Sequence, residues 1–100
     1  MNRERARRHL QFLEKQVLPT IVGETFIYAK SKSGRKRKQG SVTLLIEAAE
    51  KMEAYAQQNK DLVELYALAT GKSVHLCYHF PYESVERDVQ EMIDVLHVIR

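Results

Sequence analysis

The sequence predicts a helix-rich domain, all-α or α+β. Two observations carry that expectation: apolar residues recur at helical spacing in several stretches, and only one stretch alternates strictly with a period of two. A third, the low count of 4 Gly and 2 Pro beside 44% hydrophobic residues, marks an ordinary globular chain rather than a disordered or fibrous one. The expected elements are about four helices, 3–18, 42–58, 62–70 and 84–99. The one β element the pattern admits is a small two-stranded sheet pairing 24–30 with 73–80. At 100 residues the chain is expected to form a single domain, 1–100, with residues 31–40 as a basic flexible loop inside it.

In the first helix Ala6, Leu10, Leu13 and Val17 are spaced by four, three and four and share one face, while Glu4 and Arg8 are ordered for an i,i+4 pair on the other. Pro19 disfavours helical geometry at Leu18 and is read as the stop. Residues 21–30 are rich in β-branched and aromatic side chains, which favours a short strand. The alternative is a longer first helix, kinked at Pro19 and running to about Lys30. The stretch SKSGRKRKQG, residues 31–40, contains no apolar residue and reads as a solvated loop.

Ser41 then serves as a cap for the second helix, whose apolar stripe is Leu45, Ala48, Ala49, Met52, Tyr55 and Ala56. Asp61 is expected to cap the third helix, and Gly71 stands where a left-handed terminal residue belongs. From Ser73 to Phe80, Val74, Leu76, Tyr78 and Phe80 alternate with His75, Cys77 and His79, the pattern of a half-buried strand. After Pro81, with Ser84 as cap, Val85, Val89, Met92, Ile93, Leu96 and Ile99 form the broad face of the last helix.

Composition narrows the function classes. No apolar run approaches the roughly twenty residues that cross a bilayer, and the basic N-terminal stretch leads into Glu14 and Lys15 rather than a signal-peptide core. The single cysteine, Cys77, cannot pair within the chain. A cytoplasmic protein without cofactor is expected.

Charge is segregated. Residues 1–40 hold eleven Lys or Arg against three Asp or Glu, and residues 41–100 hold five against ten. The formal net +3 therefore covers about +8 and −5. Six of the cations lie between Lys30 and Lys38, namely Lys30, Lys32, Arg35, Lys36, Arg37 and Lys38, and four more lie on the first helix as Arg3, Arg5, Arg7 and Arg8. Folded together, they would make a patch able to neutralise phosphates. The alternative is a solvated loop, or a basic face that meets the acidic half of another copy. The run lacks aromatic residues, so stacking on single-stranded bases is not expected.

His75, Cys77 and His79 are the sharpest chemical candidates, since i, i+2 and i+4 on a strand point one way and all three types bind zinc, with Glu83 as a fourth ligand. Same-face residues lie about 6.5–7 Å apart on a strand, however, so the ordinary reading is the polar side of an edge strand. A thiol nucleophile at Cys77 activated by either histidine ranks lower still. His9 and His97 read as helix-face residues, and Tyr28, Tyr55, Tyr66, Tyr78 and Tyr82 as rim residues of the core. The scattered glycines exclude a phosphate loop. The carboxylate pairs Glu86 with Glu91 and Asp88 with Asp94 read as exposed helix surface.

LIEAAEKM, ALATGKS and YHFPYESVERDVQEMI, within Leu45–Ile93, resemble the helix-turn-helix portion of TetR-type repressors. The resemblance implies a recognition helix over 73–80, with Lys72, Ser73, His75, Tyr78 and His79 facing DNA. The interval from Gly71 to Phe80 is one residue shorter than that family's pattern, which would turn such a helix by about 100°. The chain is therefore not assigned to the family.

The functional expectation is a small non-enzymatic regulatory or accessory protein that contacts DNA or RNA through Arg3, Arg7, Arg8, Lys30, Lys32 and Arg35 to Lys38. The alternative is a helical protein-interaction module that forms a homodimer through the last helix. A protein partner or second copy is expected, and no membrane.

Overall fold

The computed structural model describes residues 1–21 and 34–99, with residues 34–41 described by their backbone path alone. The strand expected at 24–30, together with Lys30 and Lys32, lies outside the described residues. Four α-helices and two short helical turns make up the described fold: α1 (Arg3–Phe12), a π-helical turn (Leu13–Val17), α2 (Gly34–Gln58), α3 (Lys60–Thr70), a 3-10 turn (Val74–Tyr78) and α4 (Val85–Ile99). Among the described residues there is no β-strand. The mainly α reading therefore holds.

Asn2 caps α1, its side chain accepting from the Arg5 amide at 2.8 Å. Pro19 does not end this helix, because residues 18–21 remain helical beyond the π turn. A proline ring in a regular α-helix meets the carbonyl four residues back, here Lys15, and cannot donate to it. The wider π turn across Leu13–Val17, in which the Leu18 amide reaches Leu13, relaxes the ladder where that conflict falls. The Gln16 carbonyl accepts from the Thr20 hydroxyl at 2.8 Å and from the Lys51 ammonium at 3.3 Å. Ile21 thus joins Ala6, Leu10, Leu13 and Val17 in the core.

Helix α2 begins eight residues before the expected start, so residues 34–40 are helical rather than loop and Ser41 is not a cap. Two glycines pointed to a turn, yet Arg, Lys and Gln between them are among the better helix formers. The expected stripe is present: Ala48, Ala49, Met52 and Ala56 are buried, with Leu45 and Tyr55 packed against them. Helix α3 ends at Gly71, whose φ of 75° is left-handed and whose amide donates to Ala67 at 2.9 Å.

The strand expected over 73–80 is a 3-10 turn, with the Leu76 amide bonded to the Ser73 carbonyl at 3.0 Å. A period of three replaces the period of two. Cys77, expected outside, is consequently buried and Leu76, expected inside, is 61% exposed, while Phe80, beyond the turn, is buried as its alternation predicted. Helix α4 is the centre of the fold, touching α1, the π turn, α2 and α3. Its Val85, Val89, Met92, Ile93 and Leu96 are buried, as the broad apolar face predicted. Asp88, expected at the surface, is buried as well and accepts from the Ser84 hydroxyl at 3.1 Å.

Candidate functional site

Contacts between α1 and α2 fix where the cations stand. Lys51 reaches Thr20 at 2.7 Å, Tyr55 reaches His9 at 2.6 Å, and Asp61, just beyond α2, reaches Arg5 at 3.0 Å. The two helices therefore run antiparallel. Arg3, Arg7 and Arg8 lie exposed around the Tyr55 end of α2, whereas Arg35 to Lys38 occupy its opening turns. From Lys38 to Tyr55 the helix rises about 25 Å. The fold thus keeps two basic clusters apart instead of merging them into one patch. Arg8 pairs with Glu4 at 3.2 Å, as their spacing predicted, and neither Arg3 nor Arg7 forms an ion pair among the described residues.

Arg5 belongs to a different arrangement. Its guanidinium holds both oxygens of Asp61, Nε to Oδ2 at 3.0 Å and one terminal nitrogen to Oδ1 at 3.1 Å. Buried His9 joins the same carboxylate through Nε2 at 3.2 Å and the Tyr55 hydroxyl through Nδ1 at 2.6 Å. Phe12 stacks on Tyr55 with centroids 3.8 Å apart. Burial holds the His9 pKa below its ordinary value against the opposing pull of Asp61, so the ring is neutral near pH 7. In that state Nε2–H donates to Asp61 and Nδ1 accepts from Tyr55 O–H. The Arg5 guanidinium, with help from His9 and the Leu62 amide, lowers Asp61 to about 2. The sequence pattern places His9 on a helix face, Tyr55 in the α2 stripe at the core rim and Asp61 as a cap, and does not show that the three meet. The available signal was a histidine inside the apolar stripe of α1, three residues from Ala6 and four from Leu13.

The metal and thiol candidates separate. His75 is exposed, Cys77 is buried, and His79 turns to α2, its Nδ1 lying 2.9 Å from Glu53 Oε2. No three His, Cys, Asp or Glu residues converge on one point among the described residues. Burial raises the Cys77 thiol pKa, which opposes the thiolate a nucleophile needs. Lys72, Ser73, His75 and His79, which the repressor resemblance turned toward DNA, are exposed and Tyr78 is half-buried. The helix that resemblance implied is present only as the five-residue 3-10 turn. Nearby, Lys72 lies 5.5 Å from the centre of the Tyr66 ring, whose buried hydroxyl has no hydrogen-bond partner among the described residues.

These features define a small α-helical domain with an internal polar lock and two separate basic clusters. No protein-family model, curated protein or solved structure matches the chain.

Proposed function

We propose that this chain is a small, non-enzymatic accessory protein of the cytoplasm that contacts nucleic acid by its phosphates. The observation that carries the reading is charge segregation, with six cations between Lys30 and Lys38 in a chain whose last sixty residues are net acidic. Helix α2 adds support, because Arg35 to Lys38 occupy its opening turns with no acidic residue among them. Cations there oppose the helix dipole, and a phosphate at that end would relieve both the dipole and the cationic repulsion. Such binding rests on counterion release and reads backbone rather than base sequence.

The test is affinity for duplex DNA and duplex RNA across a salt series. Log K should fall linearly with log salt, and replacing Arg35, Lys36, Arg37 and Lys38 with Gln should reduce the slope by about 3 to 4 on DNA. Absence of binding at low salt, or a slope indifferent to the replacement, refutes the reading. Self-association through the last helix is not favoured, since the apolar face of α4 is covered by the core of its own domain.

A further inference from the structure

We propose that two copies of this chain pair through the outer face of α3, antiparallel about a two-fold axis at Leu68, each seating Leu68 in a groove of the other. The face that α3 turns to the core carries Leu62, Val63, Tyr66 and Ala67. Leu68 falls on the opposite side, one turn beyond Glu64, and is 82% exposed. The 3-10 turn packs on α3 and adds Val74, 44% exposed, to the same surface. Glu64, Ala67, Leu68, Gly71, Lys72 and Val74 line an open groove of about 510 Å³ there. Gly71 keeps the groove clear beside it, since no atom would lie within 4 Å of an added Cβ. An exposed apolar strip with polar residues at its rim is the form of an association surface.

The occupant follows from charge. The groove carries one acid, Glu64, and one base, Lys72, both exposed. A partner of single charge sign would satisfy only one of them, whereas a second copy satisfies both. Leu68 stands four residues after Glu64 and four before Lys72. An antiparallel copy centred on Leu68 therefore sets Glu64 against the partner's Lys72 and Lys72 against the partner's Glu64. The ion pair occurs twice, as a self-complementary two-fold interface requires. A parallel copy would instead set Glu64 on Glu64 and Lys72 on Lys72, so charge fixes the direction as well as the partner. Each Leu68 then leaves water against the partner's Ala67 and Val74. None of the cations assigned to phosphate is needed for this pairing.

Sedimentation equilibrium of the full chain, loaded at up to about 1 mM to reach the weak end of specific association, provides the test. The wild type should dimerise at low salt and do so more weakly as salt rises. Lys72→Glu sets like charges against Glu64 at both contacts, and Glu64→Lys does the same with the sign reversed. Each variant alone should dimerise about thirtyfold more weakly. An equimolar mixture of the two restores opposite charges at both contacts and should recover the dimer. Leu68→Gln removes the apolar centre and should stay monomeric, with helix content unchanged because the side chain lies outside the core of its own domain. A wild type that is monomeric throughout, a Leu68→Gln protein that dimerises like the wild type, or a mixture no more dimeric than its components would each overturn the proposal.

Discussion

His9 shows how one side chain can carry both packing and polarity. Placed on the apolar face of α1 beside Ala6 and Leu10, it is 1% exposed, and its two nitrogens meet Tyr55 and Asp61 from α2 and α3. A buried polar group of this kind stabilises only while every partner remains. Asp61→Ala should therefore cost about 2 kcal/mol in urea unfolding, because it leaves the His9 N–H and the Arg5 fork without their acceptor. Acid should act through the same residues in two windows. The folded His9 binds its proton below the ordinary 6.5, so the unfolded chain binds more protons as pH falls through that value and stability declines. The slope is at most about 1.4 kcal/mol per pH unit for one proton, and His9→Gln should remove it from a series of melts. The Asp61 contribution is complete above its unfolded value of 3.8 and is lost as pH falls toward about 2. A His9→Gln protein with the wild-type pH profile between 7 and 5 would contradict this account.

At the scale of elements, the ends of helices separate local from non-local causes. Gly71 is set locally: its φ of 75° belongs to a residue without Cβ, and no atom would lie within 4 Å of an added one. Gly71→Ala should thus destabilise by about 1 kcal/mol through backbone strain alone, and Gly71→Asn by less, both read as shifts of the urea midpoint. The α1 continuation has a different cause. Pro19 is a sound stop signal by itself, but a π turn together with the Thr20 and Lys51 side chains satisfies the backbone around it and lets Ile21 reach the core. The alternating segment 73–80 fails as a strand for a related reason. Alternation expresses a two-residue period only where another strand completes the ladder, and the 3-10 turn instead turns Cys77 inward and Leu76 outward.

For the molecule as a whole, the antiparallel α1–α2 pairing governs how charge is presented. About 25 Å of helix between Lys38 and Tyr55 separates the two basic clusters by more than a Debye length at physiological salt. Contributions from well-separated sites add. Neutralising Arg3, Arg7 and Arg8, neutralising Arg35 to Lys38, and doing both should therefore give nucleic-acid binding free energies in which the double loss equals the two single losses within about 0.5 kcal/mol. A strong departure, measured by filter binding at one fixed salt, would indicate that the clusters act as one patch.

Periodicity made the helical class, the stripes of α2 and α4 and the Gly71 terminus legible from the residues, because each depends on neighbours within one or two turns. The segregation of charge was equally plain, being a matter of counting. Long-range pairing set the rest. Whether Arg5 faces water or a carboxylate depends on Asp61, fifty-six positions away, and whether two basic runs form one surface depends on which helix ends lie together. Spacing along a chain records which residues share a face. It carries no record of what that face will meet, and here packing placed a histidine lock at one end of α2 and a separate run of cations at the other.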